Sequence, residues 1–349
     1  MDTRDTPEQA ELRRAARQLA RELGPPTVAD LDDQTRTKRL ARAVRDAGWL
    51  ELRHDSGDGA PWASGVEVAI VADALGGTVA DVAFAGPVLA ADLARRVGLA
   101  DDAAADGAVV AFAPNLIDAA VAIEGALAAS AYAVDGGAEG VERAYVLVPD
   151  TADGFHLALA PVATRTEGTD LTRTVHEVAA GSAAEVVAGQ TRALSADDLA
   201  HWSALGLALT SADLVGLMRG VLDVTVAYAA DRKQYGVPVG SFQAVQHLLA
   251  EAHTLMEGSL SVALHASWAV DNLPPREARQ AGRVAKAYCA RAARTVGETA
   301  IQVHGGIGNT WECIAHLYVR RALLSSQWFG DDGEQLRQLQ HERLGVGAS

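Results

Sequence analysis

The chain has 349 residues, a net charge of −15 and a pI near 5.1, with 49% apolar and only 5% aromatic residues. That length supports two or three subdomains and a large core, which Ala, Val and Leu must fill by close helical packing. The acidic balance leaves no basic stripe to release phosphate counterions, so nucleic acid is not expected as a partner, whereas a small anion held by local donors is still allowed. Cys289 and Cys313 give neither a disulfide framework nor metal spacing, as suits a reducing cytoplasm. The first residues read as an amphipathic helix without the pattern of a signal peptide. No run of about 18 uncharged apolar residues stands out, so no membrane span is expected.

In chain order, residues 1–104 read as an N-terminal helical domain. TPEQAELRRAARQLAREL has helical periodicity, with Thr6 as cap and Pro7 in the first turn. TKRLARAVRDAGWLEL, GVEVAIVADALGG and VAFAGPVLAADLARRVGL continue the pattern. Residues 105–194 change texture and read as a β middle domain. GAVVAFAP, AAVAIEG, ALAASAYAVDGG, RAYVLVPD, FHLALAPV and TRTVHEVA are short, Val-rich and bounded by Gly, Asp and Pro. Helix returns at SADD, where Ser195 faces Asp198 as in a capping box. Long helices are expected over about 196–231, 241–271 and 275–303, then a shorter one and a polar tail helix. Residues 195–349 thus read as a four-helix bundle, and the fold class is mainly α with a β middle domain.

Several chemistries find no support. The chain has no G-x-S-x-G nucleophile turn and no phosphate-cradling G-x-x-x-x-G-K-[ST]. His247 and His253 are six residues apart and fall on different helix faces, so no shared metal is expected. GGIG at 305–308 follows a helix, where a dinucleotide fingerprint would follow a strand.

Two segments carry more. RKQYGVPVGSFQAVQH at 232–247 and IQVHGGIGNTWECIAHLYVRRA at 301–322 resemble the acyl-CoA dehydrogenase family. There an Arg-x-x-Phe/Tyr-Gly turn precedes Phe/His-Gln and a helix, and Gln-x-x-Gly-Gly-x-Gly follows at similar spacing. The resemblance implies an N-terminal helical domain, a β middle domain and a C-terminal four-helix bundle, usually assembled as tetramers. It implies FAD shared across a subunit interface, contacted by Arg232, Gln234, Tyr235, Phe242, Gln302, Gly305 and Gly306. It also implies an acyl-CoA substrate and electron-transferring flavoprotein as acceptor. The residue chemistry agrees with this. A guanidinium at a helix break can pair with a pyrophosphate, an amide can meet an adenine edge, and a Gly-Gly turn lets backbone approach a cofactor.

The family's reaction needs a carboxylate to remove the α-proton, and here the pattern fails. The usual place, about 27 residues beyond Gln302, is Phe329; the alternative, about 26 before Arg232, is Gly206, followed by Leu207. A flavin-covering Thr-Glu-Pro-Gly-x-Gly-Ser-Asp stretch is replaced by VVAFAPNLIDAAVAIEG. Asp331 and Glu312 are the remaining candidate acids, although a helix cap and a helix N-terminal charge would account for them equally. The expectation is a subunit of a heteromeric FAD-dependent acyl-CoA dehydrogenase, catalysing α,β-desaturation of an acyl-CoA. A related partner chain would supply the carboxylate, and the acyl group would be bulky, such as a steroid side chain. Two alternatives stand beside it: a homo-oligomeric flavin enzyme of the same fold with a non-standard base or different chemistry, and a non-enzymatic scaffold.

Overall fold

The computed structural model describes residues 4–99, 107–136, 141–150 and 154–344. The N-terminal helical texture becomes α1 (Pro7–Leu23), α2 (Gln34–Asp46), α3 (Gly65–Gly76) and α4 (Ala85–Arg96). Thr6 caps α1 in a reciprocal capping box with Gln9, and Pro7 takes the first helical position, where a missing N–H costs nothing.

Nine strands follow among the described residues: β1 (Val109–Phe112), β2 (Ala122–Ile123), β3 (Ala126–Leu127), β4 (Ala131–Val134), β5 (Arg143–Pro149), β6 (Phe155–Pro161), β7 (Thr164–Thr166), β8 (Val175–Val178) and β9 (Glu185–Val186). Seven of them make one sheet in the order β7-β8-β4-β1-β5-β6-β9. Only β1 and β5 pair parallel within it. The segment ALAASAYAVDGG yields both β3 and β4, whereas β7 and β9 lie outside every segment read as strand. Strands of three and two residues are too short to show a period of two. The domain boundary expected at 104–105 lies outside the described residues.

The remaining elements are α5 (Ala196–Asp231), β10 (Lys233–Gln234), β11 (Val237–Pro238), α6 (Gln243–Asn272), α7 (Pro275–His304), α8 (Ala315–Gln327) and α9 (Asp332–Leu344). Ser195 and Asp198 close the capping box that starts α5. By length and composition α5 could cross a bilayer, although Asp213 and Arg219 interrupt it, so it is not the uncharged run whose absence was expected. Its apolar window is 94% buried within the protein, packed among α3, α6, α7 and α8. A helix covered on all sides needs apolar residues all round, and this explains the composition. One core joins α1 to α5 with β1 and the α8–α9 turn, and a second fills the far end of the bundle.

Candidate functional site

The first motif block begins where α5 stops. Arg232 leaves helical geometry at φ −67° and ψ 123°, and the chain reverses through the β10–β11 hairpin. Its two loop residues, Tyr235 and Gly236, sit at φ 52° and 84°, the left-handed pair that a twisted two-residue hairpin requires. Arg232 and Gln234 are exposed, Tyr235 is 87% exposed, and Phe242, at the start of α6, is 36% exposed. Among the described residues Arg232 takes part in no ion pair.

The second block ends α7 and turns at Gly305, with φ 65°. The Tyr228 ring stacks on His304 at 4.4 Å between centroids, and its hydroxyl donates to the His304 carbonyl at 3.3 Å. The two turns therefore meet at one end of the bundle, although some 70 residues separate them in sequence. Gln302 is exposed there. A Cβ added at Gly306 would meet nothing within 4 Å, so the chain's own packing does not require glycine at that position. The result is an outward-facing surface carrying a guanidinium, two amides and bare backbone.

The two positions where a base is expected lie together elsewhere. The Phe329 ring packs on the backbone of Gly206, where any added Cβ would overlap it. Around Phe329 stand Phe112 at 5.2 Å, Trp202 at 5.3 Å and Trp328 at 6.0 Å between centroids, and all four side chains are buried. Phe329 adopts φ 66°, strained for an aromatic residue. Its N–H donates to the Leu116 carbonyl at 2.7 Å, and its carbonyl accepts from Gln335 Nε2 at 2.6 Å. The loop that carries Leu116 thus holds this plug through its backbone. Gly206 has no side chain and no room for one, and position 329 carries an aromatic ring in place of a carboxylate.

The remaining acids sit apart from that cluster. Asp331 Oδ1 accepts from the Glu334 N–H at 2.9 Å, and the Asp331 carbonyl from the Gln335 N–H at 3.0 Å, which caps α9. Asp332 faces Arg294 at 3.8 Å. Glu312 is exposed in the turn before α8.

Behind the plug lies a buried charge network that the sequence reading did not single out. Asp213 on α5 pairs with Arg173 at 3.0 Å and Arg321 at 2.7 Å, and it accepts from Ser325 Oγ at 2.7 Å. Burial opposes ionisation, yet Arg173 and Arg321 hold the Asp213 carboxyl down at about 2. Lys286 on α7 is fully buried and donates to the carbonyls of Ser325 and of Trp328, the latter at 2.7 Å. Burial lowers its amine to about 7. The available signal was a lone charge inside an apolar helical run for Asp213, in LTSADLVGL; Lys286 has Arg283 three residues before it and carried no such signal. These groups tie α5, α7, α8 and the strand region together beneath Trp328.

Residues 204–344 match the acyl-CoA dehydrogenase C-terminal domain family. Acyl-CoA dehydrogenase IpdE2 of Mycolicibacterium smegmatis is 38% identical over 160 residues, which is 46% of this chain and 48% of that protein. The match thus spans about half of that relative's length. Among solved structures, the Tcur3481-Tcur3483 steroid ACAD variant superposes with a TM-score of 0.79 at 22% identity, over 98% of this chain and 99% of that one. The ChsE4-ChsE5 complex of Mycobacterium tuberculosis gives 0.75 at 21% identity, covering 100% of both chains. The FAD complex of PigA gives 0.78 at 19%, over 99% of this chain and 100% of that one. At these identities the structures establish the fold.

Proposed function

We propose, from a chain that has the acyl-CoA dehydrogenase fold and carries that family's C-terminal domain, that it is one subunit of a heteromeric FAD-dependent acyl-CoA dehydrogenase. In this reading it completes the flavin site of a related partner chain and holds no complete site of its own. The observation that carries the proposal is the meeting of Phe329 with Gly206: both places for a base coincide, and aromatic rings fill them. The reaction is α,β-desaturation of an acyl-CoA thioester. FAD, when bound, takes the hydrogen leaving the β-carbon as hydride. The α-proton goes to a carboxylate of the partner, since Asp331 is engaged as a helix cap.

This chain's own part is to bind and orient. Arg232 offers two parallel N–H donors to a pyrophosphate oxygen pair, and Gln302 offers an amide to the nucleotide. Gly305 and Gly306 leave room for close backbone approach, while Gln234, Tyr235 and Phe242 flank the turn. The residues present fit the nucleotide end of the cofactor, because these donors are exposed where the ends of α5 and α7 meet. The paired chains of the ChsE4-ChsE5 complex and the steroid ACAD neighbour support a two-chain enzyme acting on a bulky acyl group; electron-transferring flavoprotein as acceptor is what the family resemblance implies.

The test is Arg232→Ala within the complex with the partner chain. Losing a charge-assisted pair is expected to lower FAD content and turnover by roughly 10- to 100-fold while the complex stays assembled. Unchanged FAD content and turnover would leave the chain a scaffold.

A further inference from the structure

The first three turns of α7 carry Arg276, Arg279 and Arg283 at spacings of three and four residues, and therefore on one face. Together with Asp118, Gln338, His341 and Glu342 they line a cleft of about 570 Å³. Three arginines outnumber two carboxylates there, within a chain whose net charge is −15. The start of a helix is already the positive end of its dipole, so cations gathered in those turns raise one another's energy unless an anion joins them.

The carboxylate paired with Arg279 and Arg283 is Glu342, and the pairing falls on one of its two oxygens. Its Oε1 serves both Arg283 and Arg279, the latter at 3.3 Å, and its backbone carbonyl accepts from Arg276 at 3.3 Å. Glu342 Oε2 and Arg279 Nε are buried without a hydrogen-bond partner. Among the described residues Arg276 has no ion pair. Burial and the Arg279 charge hold the Arg283 guanidinium below the usual arginine range, despite Glu342.

We infer that this cleft binds a diphosphate-bearing anion, which takes up the guanidinium donors that Glu342 leaves unsatisfied. Arg279 and Arg283 converge on one Glu342 oxygen, while Arg276, about 10 Å along the helix from Arg283, stands outside those ion pairs, so an anion of two linked phosphates can engage Arg276 and the inner pair together. The volume lies within the range of about 300–1,000 Å³ usual for small-molecule sites. Asp118 closes the loop whose Leu116 carbonyl holds Phe329, so the ligand would lie beside the aromatic plug. None of the flavin-contacting residues takes part, so this site stands or falls independently of the heteromeric reading.

The experiment is calorimetric titration of the full chain with inorganic pyrophosphate and, separately, with ADP. Saturable binding is expected, weakened at least about tenfold by Arg276→Gln and by Arg283→Gln, and tightened severalfold by Glu342→Gln, which removes the competing carboxylate. Tighter binding of ADP assigns a nucleotide ligand; equal or weaker binding of ADP assigns a free diphosphate. If Arg283→Gln fails to fold, Arg276→Gln carries the test, because its one hydrogen-bond partner here is a carbonyl. Absence of binding by both probes, affinity unchanged in the arginine variants, or no gain in Glu342→Gln would overturn the site.

Discussion

Two regions built on the same helices have opposite characters. At the turns that follow α5 and α7, polar side chains and bare backbone face outward, with the chain's own residues leaving them unused. Where α5 passes the α8–α9 turn, four aromatic rings close the space that a carboxylate would need. Packing of that density is costly to give up, so the closed region is a settled part of the core. Under the proposed heteromeric reading, the comparison teaches that a motif can be retained at a surface while the space for its chemistry is filled in the interior. A chain in that condition is suited to finishing a site that another chain begins.

The sharpest way to break this contrast is at the plug. Phe329→Ala is expected to cost about 3–5 kcal/mol in urea unfolding. It should leave the turnover of the assembled complex intact, since the ring touches no partner site in this account. Gly206→Ala should also destabilise, but its cost should largely vanish in the Phe329→Ala background, because the two residues occupy one place. Additive costs for the pair would contradict that packing.

The charge network beneath the plug makes a subtler prediction. The Lys286 amine takes up a proton below about 7 when folded, against 10.5 for an ordinary lysine. Between those values the unfolded chain binds more protons than the folded one, so this group makes stability rise as pH increases from about 7 toward 10.5. Melting temperatures across that window should show the rise, and Lys286→Met should flatten it. The smallest effect is expected at Asp331. Removing the cap with Asp331→Ala should cost about 1 kcal/mol and leave turnover within a factor of two or so. A collapse of turnover by orders of magnitude would instead make Asp331 the base.

Much of the architecture was legible because its signals are local. Thr6 with Pro7, and Ser195 with Asp198, mark helix starts by groups that bond within three residues, and α5 forms over the span that its pattern suggests. The strands β7 and β9 left no signal, because pairing with neighbours, and not their own periodicity, defines them. At the site, counting along the chain identified Phe329 and Gly206 as separate losses. Only the fold shows that the ring of one lies on the backbone of the other, across more than a hundred residues. The pairing of Asp213 with Arg173 and Arg321 was illegible for the same reason: a buried ion network is defined by partners that sequence spacing does not bring together. The Arg276, Arg279 and Arg283 face was written plainly in α7, but its meaning depends on Glu342, which α9 brings to it.

The measurement that bears most directly on the central claim is the ratio of FAD to protein, taken for the purified chain alone and for its complex with a related partner. The account predicts no stoichiometric FAD on the isolated chain and one FAD for each pair of chains in the active complex. One FAD per chain in the isolated protein, together with acyl-CoA turnover, would contradict it.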